Sequence, residues 1–339
     1  MENRVTVDPL PESIPITENR VTVDPLPESI PITENRATVN PIPESISIME
    51  NRVTVAIPLH NSKRWIENIV SNVRRMPPEV TEILISDQTC VDDTAMTLKQ
   101  RLLDDPRVKV LYGPNGLGFV DHYQMLLEVA EGDLFMWMPH DDVFGSDWVP
   151  HLLESLKKYP SAWLAFGDIR LARANRYFDL IPMKSHPLPF RPGQFSLWKS
   201  IDFHNSGWSH FAFKGLFRRK EVLAANIRME PDHSTIWVDH EWVFSVAMHG
   251  NLVFDNRVTL TKRMHDSNTY RTDSWKSQRR GSHLESALFI LEKYAPENGQ
   301  KSMLMIYAHL SWVALNVYKF LRYRIPGAIK RNILATKST

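Results

Sequence analysis

Cysteine is almost absent: Cys90 is the only one in 339 residues. That excludes a disulfide framework and any zinc site built on cysteine. No Gly-x-Gly-x-x-Gly follows the first apolar strand, and no Gly-x-x-x-x-Gly-Lys loop occurs anywhere, so dinucleotide and P-loop readings lack the residues they need. The N-terminus has no basic start leading into an apolar run; no signal peptide is expected, and the expected location is cytoplasmic. An excess of one charge is missing too. The formal net charge is +1, so charge alone implies no polyanion partner, and no nucleic acid is expected to bind. The remaining composition, 43% hydrophobic and 23% charged, is that of a soluble globular chain able to bury a core.

What is present is unevenly distributed. Residues 1–49 hold eight acids, three arginines and eight of the 23 prolines. Glu2, Glu18, Glu34 and Glu50 open the same phrase at steps of sixteen residues: ENRVTVDPLPESIPIT twice, then ENRATVNPIPESISIM. That period is too short for helical repeats and matches no common solenoid. Proline interrupts every run within a few residues, because it cannot donate to a strand ladder. Residues 1–49 are therefore expected to be an extended, disordered arm. The fourth copy runs instead into VTVAIPLHN and opens the folded chain.

From there strands and helices alternate. VTVAIPL, TEILISD, RVKVLYG and DLFMWM read as strands. Between them lie a helix with Trp65, Ile66, Ile69, Val70 and Val73 on one stripe, a helix in DDTAMTLKQRLL, and a helix with Phe119, His122, Met125 or Leu126, and Val129 on one stripe. Such alternation predicts an α/β fold with a parallel sheet and ligands at the carboxyl ends of the strands. Polar residues gather at those ends: Pro58-Leu59-His60-Asn61, Ser86-Asp87-Gln88-Thr89 with Asp92 and Asp93 beyond, and His140-Asp141-Asp142. Adjacent carboxylates repel unless a cation or a ligand's hydroxyls take them up. A hard divalent cation bridging a diphosphate would do so. Taken singly, Asp141-Asp142 also reads as a capped turn, Asp92-Asp93 as a helix N-cap and Lys262-Arg263 as a surface pair. His204, His210, His233, Trp208 and Trp237, in a Trp-rich middle region, read equally well as packing.

Five segments in order, over about residues 53–270, resemble the inverting nucleotide-sugar glycosyltransferases of the GT-A fold, glycosyltransferase family 2. VTVAIPLHN resembles that family's opening strand. ILISDQTCVDDT resembles its Asp-Asp-Gly-Ser-Thr-Asp-x-Thr segment, with Ser86 in place of the first Asp and one residue inserted. LLEVAEGDLFMWMPHDDVF resembles the stretch leading into the metal-binding Asp-x-Asp, with His140 where the first Asp would stand. VDHEWVFSVAMHG resembles the helix that supplies the catalytic base, and KRMHDSNTY the later Arg-x-His-x-x-Asn stretch.

The resemblance implies a Rossmann-like mixed sheet, mostly parallel and flanked by helices. Residues 50–272 would form the catalytic domain, with 50–145 binding nucleotide and 146–272 carrying the acceptor half and base helix; 273–339 would add C-terminal helices and a basic tail. It implies transfer of a sugar from a nucleotide-diphosphate donor to an acceptor hydroxyl, in cell-surface polysaccharide or glycolipid synthesis, with Mg2+ or Mn2+ as cofactor. The acceptor would be a saccharide or a lipid-linked saccharide. By the same resemblance Pro58, Leu59, Asn61, Asp87, Asp141 and Arg263 would hold the donor, and Asp142 and His265 the metal. Counting back from Gly250 places Asp239 at the base position. Periodicity agrees, because Asp239 shares a stripe with Trp242, Val243 and Val246, whereas the rival Glu241 is expected in solvent. A zinc-dependent sugar N-deacetylase, through PHDD, and a non-catalytic nucleotide-sugar-binding module are the alternatives.

The C-terminus adds a separate question. Residues 302–318 carry no formal charge and fall just short of a membrane span. Met303, Ile306, Leu310, Val313, Val317 and Leu321 form a stripe whose first expectation is packing on the catalytic domain. The next 21 residues hold six basic residues and no acid, which fits peripheral contact with an anionic membrane, at the inner face of the plasma membrane.

Overall fold

The computed structural model describes residues 52–87, 92–112, 117–174, 180–183, 188–229, 238–265, 283–295 and 299–323. The repeat arm, Gln88, Thr89, His233, Trp237 and the tail after Tyr323 lie outside the described residues.

β1 (Val53–Leu59) is buried along its whole length because it runs between two parallel neighbours, β2 (Val80–Asp87) and β4 (Leu134–Trp137). β3 (Val108–Tyr112) pairs in parallel on the far side of β2. The crossovers are α1 (Ile66–Arg74), α2 (Thr94–Arg101) and α3 (Phe119–Val129). Beyond β4 come α4 (Trp148–Lys158), β5 (Ala162–Ala174), the short β6 (Leu180–Pro182) and β7 (Gly193–Gln194), α5 (Leu197–Ser206), α6 (Ser209–Ala212), β8 (Leu216–Arg218), α7 (Arg219–Ala224), α8 (Val238–His249) and β9 (Asn251–Met264). The sheet order is β3-β2-β1-β4-β8-β5-β9-β7, with β6 on β5. β8 pairs antiparallel with both β4 and β5, so β5 and its parallel partner β9 run with β1–β4. The result is a mixed, mostly parallel sheet flanked by helices, as expected.

The stripes explain which helix faces are buried. On α1, Trp65 just before the helix, Ile69, Val70 and Val73 are buried and Ile66 partly so. On α3 the expected stripe holds in its middle, at His122 and Leu126, and fails at its ends. Phe119 and Val129 are exposed, and Val120, Leu126 and Leu127 fill the core together with His122 and Gln124. Polar anchors set that face: His122 meets Ser86 on β2, and the Gln124 carbonyl oxygen accepts from the Met229 N–H at 3.1 Å. Behind the strand ends, the Trp137 and Phe213 rings stack at 4.3 Å, and Trp242 stands edge-on to Trp137 at 4.9 Å. This cluster ties α8 to the end of β4, beyond what hydrophobic area alone would give. Gly250, just after α8, is required by close approach: a Cβ there would sit 2.0 Å from Cγ of Trp163.

Two helices close the described chain, α9 (His283–Tyr294) and α10 (Gly299–Tyr323). α10 does pack on the domain, but not through the expected stripe. Leu304, Ala308 and Ser311 face inward. Asn205 Nδ2 donates to the Ala308 carbonyl at 3.0 Å, and Ser311 Oγ and Tyr307 OH donate to Asp202 at 2.6 and 3.1 Å. The six stripe residues lie on the opposite side, exposed. Polar docking to α5 fixes the rotation of the helix, where apolar periodicity alone pointed the other way.

Candidate active site

The carboxyl ends of β1, β2 and β4 meet the end of β9 in one acidic crevice. Parallel pairing brings this about: Leu59 lies opposite Asp87, and the segment after β4 is stitched to β9 by reciprocal Val143 and Thr261 backbone bonds of 3.0 Å. His140 fastens the floor. Its Nδ1 lies 3.0 Å from Ser62 Oγ and 3.4 Å from the Pro58 carbonyl, and burial pushes its pKa down. Pro58 and Leu59 are thus buried, with Pro58 offering its carbonyl to His140, whereas Asn61 is exposed in the left-handed region at φ 48°. Asp87 ends β2 nearly buried, near His122. His122 Nε2 is 2.7 Å from Ser86 Oγ, and burial pushes its pKa down to about 4, so it is neutral.

The two aspartates differ sharply. Asp142 is 1% exposed. One of its oxygens is paired with the Lys214 ammonium, and the other accepts the Arg263 backbone N–H at 3.0 Å. Its carbonyl accepts from both Asn68 and Asn72 at 2.9 Å. Asp141 sits higher and meets His265, Nε2 to Oδ2 at 2.9 Å. Burial opposes its ionisation, but the His265 hydrogen bond and the charges of His140, Lys214 and Lys262 hold its carboxyl well below the usual range. The Arg263 side chain donates to Asn68 Oδ1 at 3.1 Å and lies over the Trp65 ring at 4.9 Å.

Asp239, in the first turn of α8, is a third carboxylate within electrostatic reach of Tyr123. Burial pushes its carboxyl up to about 6, against the opposing pull of Lys262 and Lys214. Those two lysines therefore act electrostatically on Asp141 on one side and Asp239 on the other. Tyr123 lies close to all three aspartates, and its hydroxyl is held protonated by burial and their charge. Glu241, expected in solvent, is buried: 5% exposed, on the side of α8 that shares a small cleft with Arg228, Phe289 and Lys293. α8 is enclosed nearly all round, so stripe reasoning had no solvent face to assign.

Sequence reasoning missed Lys214, Asn68, Asn72 and Tyr123, and weighed Lys262 only as part of a surface pair. Two signals were available. Lys214 is a lone charge inside the apolar run FAFKGLF, and a buried lysine needs a partner. Asn68 and Asn72 are four apart on α1, hence on one face.

The chain resembles glycosyltransferases both in sequence and in fold. The Glycosyl transferase family 2 model matches residues 54–219. An uncharacterized glycosyltransferase from Haemophilus influenzae is 26% identical over 226 residues, covering 63% of this chain and 66% of the relative. Another from Rickettsia typhi is 21% identical over 220 residues, covering 64% and 65%. The chain thus spans about two thirds of the length of these curated relatives. Staphylococcus aureus TarS 1–349 in complex with UDP-GlcNAc superposes with a TM-score of 0.59 at 12% identity, covering 81% of this chain and 76% of that one. The mannosyltransferase PcManGT of Pyrobaculum calidifontis, in complex with GDP-Man and Mn2+, gives 0.50 at 13% identity, covering 85% and 79%. These structures show the fold. Over residues 54–219 the chain is similar to glycosyltransferase family 2, and its fold is that of sugar-transferring neighbours. The matched span stops short of Asp239 and His265, so their placement comes from the geometry alone.

Proposed function

We propose that the chain transfers a sugar from a nucleotide-diphosphate donor to an acceptor hydroxyl, in one displacement that inverts the anomeric centre. What supports this reading is the gathering of Asp141, Asp142 and Asp239 around Tyr123, with Lys214 and Lys262 acting on Asp141 and Asp239 and burial pushing the Asp239 carboxyl up to about 6. The Asp239 carboxylate takes the acceptor proton as the oxygen attacks from the side opposite the leaving diphosphate. Asp87 and Asn61 hold the nucleoside side of the donor. Lys262 and Lys214 bring positive charge to the leaving diphosphate, where negative charge develops. Residues 50–145 bind the nucleotide, and 146–272 present the acceptor, a saccharide or lipid-linked saccharide in cell-surface polysaccharide or glycolipid synthesis at the cytoplasmic side of the membrane.

A divalent cation, Mg2+ or Mn2+, belongs to the proposal. Two carboxylates and an imidazole, from Asp141, Asp142 and His265, are the donor chemistry such an ion takes. Bound there, it would neutralise the leaving diphosphate. Among the described residues no three such side chains are gathered as a finished metal site. Asp142 is held by Lys214 and Asp141 by His265, so ion binding entails exchange of those partners.

The test is a panel of nucleotide-diphosphate sugars screened for thermal stabilisation with Mn2+, with Mg2+ and with chelator. Stabilisation by one nucleotide class, greater with metal, is expected. No stabilisation by any member of the panel would sink the reading. A second expectation concerns pH. Transfer needs Asp239 ionised, so kcat/KM should be flat above about 6 and fall as pH drops through it. Lys262→Met removes a charge that opposes the upward shift, so the break should move to higher pH; a pH–rate profile of both proteins decides.

A further inference from the structure

The outward face of α10 is a continuous apolar band. Met303, Ile306, Leu310, Val313, Val317 and Phe320 are each 51–62% exposed and recur at alternating steps of three and four. Over that span the band is roughly 25 Å long at ~1.5 Å per residue. Leu321 and Tyr318 widen it, and Trp198 on α5, itself exposed and edge-on to Tyr307 at 4.9 Å, borders it. Patches of this size on a soluble surface mark contact with something apolar.

Charge identifies what that is. Lys301 is taken up by Glu292 of α9 at 3.0 Å, but from Ser302 to Thr339 the sequence has six basic residues, Lys319, Arg322, Arg324, Lys330, Arg331 and Lys337, and no acid. A coiled coil with a second copy would use the same spacing, but its flanking positions carry the charges that choose partner and register. Here those positions are Ser302, Tyr307, His309, Ala314, Asn316 and Leu321, with no ion pair to form. An apolar band with uncharged flanks, followed in sequence by basic residues and no acid, matches an anionic bilayer surface. No helix among the described residues is long and apolar enough to cross a membrane, so the helix lies along the surface.

We infer that α10 is a membrane-docking helix: its outward band enters the headgroup boundary of an anionic bilayer, and its basic C-terminal end binds the lipid charge. The inference concerns this surface and not the crevice, so it stands or falls apart from the transferase reading. It gives that reading a location, because Leu304, Ala308 and Asp202 bolt the helix to the domain that holds the base.

The test is co-sedimentation of the full chain with vesicles of phosphatidylcholine alone and with about 30% phosphatidylglycerol. Binding is expected to the anionic vesicles, falling about tenfold or more on neutral vesicles or at ~0.5 M salt. Ile306→Ser/Leu310→Ser changes only exposed positions, so circular dichroism should be unchanged while binding falls about tenfold. Lys319→Gln/Arg322→Gln should weaken binding and flatten its salt dependence. Full binding by the Ile306/Leu310 variant, or no binding to either vesicle, overturns the proposal. So does a dimer, seen by light scattering, that this variant abolishes in a chain that ignores vesicles; that result gives the face to a second copy.

Discussion

Asp239→Asn is expected to lower transfer by ~10²–10⁴-fold, the usual contribution of a positioned general base. The substitution keeps the shape of the side chain and its bond from the His240 N–H, 2.9 Å to Oδ1, and removes the proton acceptor. Donor binding should change little, because the proposed base acts on the acceptor. Glu241→Gln is the control, and the structure changes what it should do. Because Glu241 is buried between α8 and α9, its loss should be read in stability, as a lowered unfolding midpoint, with kcat near normal. Initial rates and donor titration on both variants separate the cases. If Glu241→Gln stops turnover and Asp239→Asn does not, the base has been placed two residues out of register. If neither matters in a chain that transfers sugar, α8 does not supply the base.

The sheet was legible because its cause is local. β1 alternates and then runs apolar, α1 carries a clean stripe, and the polar residues fall at the strand ends where parallel pairing puts them side by side. Asp87, Asp141, Asp142, Asp239 and His265 are proposed from motif order. Their states could not be read there, since each depends on a partner far along the chain. Asp142 meets Lys214, 72 residues on, and Asp141 meets His265, 124 residues on. Helix rotation failed wherever polar contacts outvoted apolar period, as on α3 with Gln124 and on α10 with Asp202 and Asn205. α8 failed for the opposite reason: buried all round, it offers no period to read.

The Asp142–Lys214 pair carries the largest expected effect on stability. From sequence, Asp142→Ala should only remove a metal ligand from a fold that survives. In the structure it strands a buried ammonium. Lys214 is 6% exposed, and burial already pushes its pKa down against the pull of Asp142. Removing one member of a buried pair typically costs about 3–5 kcal/mol, because the other charge is left uncompensated. Asp142→Ala and Lys214→Met should each lose about that much in urea unfolding. Asp142→Asn/Lys214→Met takes out both charges with similar volume and should recover most of the loss, so the double-mutant cycle should show strong coupling. Single variants within about 1 kcal/mol of wild type would make the pair worth no more than a surface salt bridge. The same variants decide the metal question without any turnover. Mn2+ and Lys214 compete for one carboxylate, so Lys214→Met should bind Mn2+ alone more tightly than wild type by electron paramagnetic resonance titration. Asp142→Asn/Lys214→Met should lose that gain. Equal Mn2+ affinity in all three proteins would place any metal away from Asp142, and leave Lys214 as the cation that this carboxylate was built to hold.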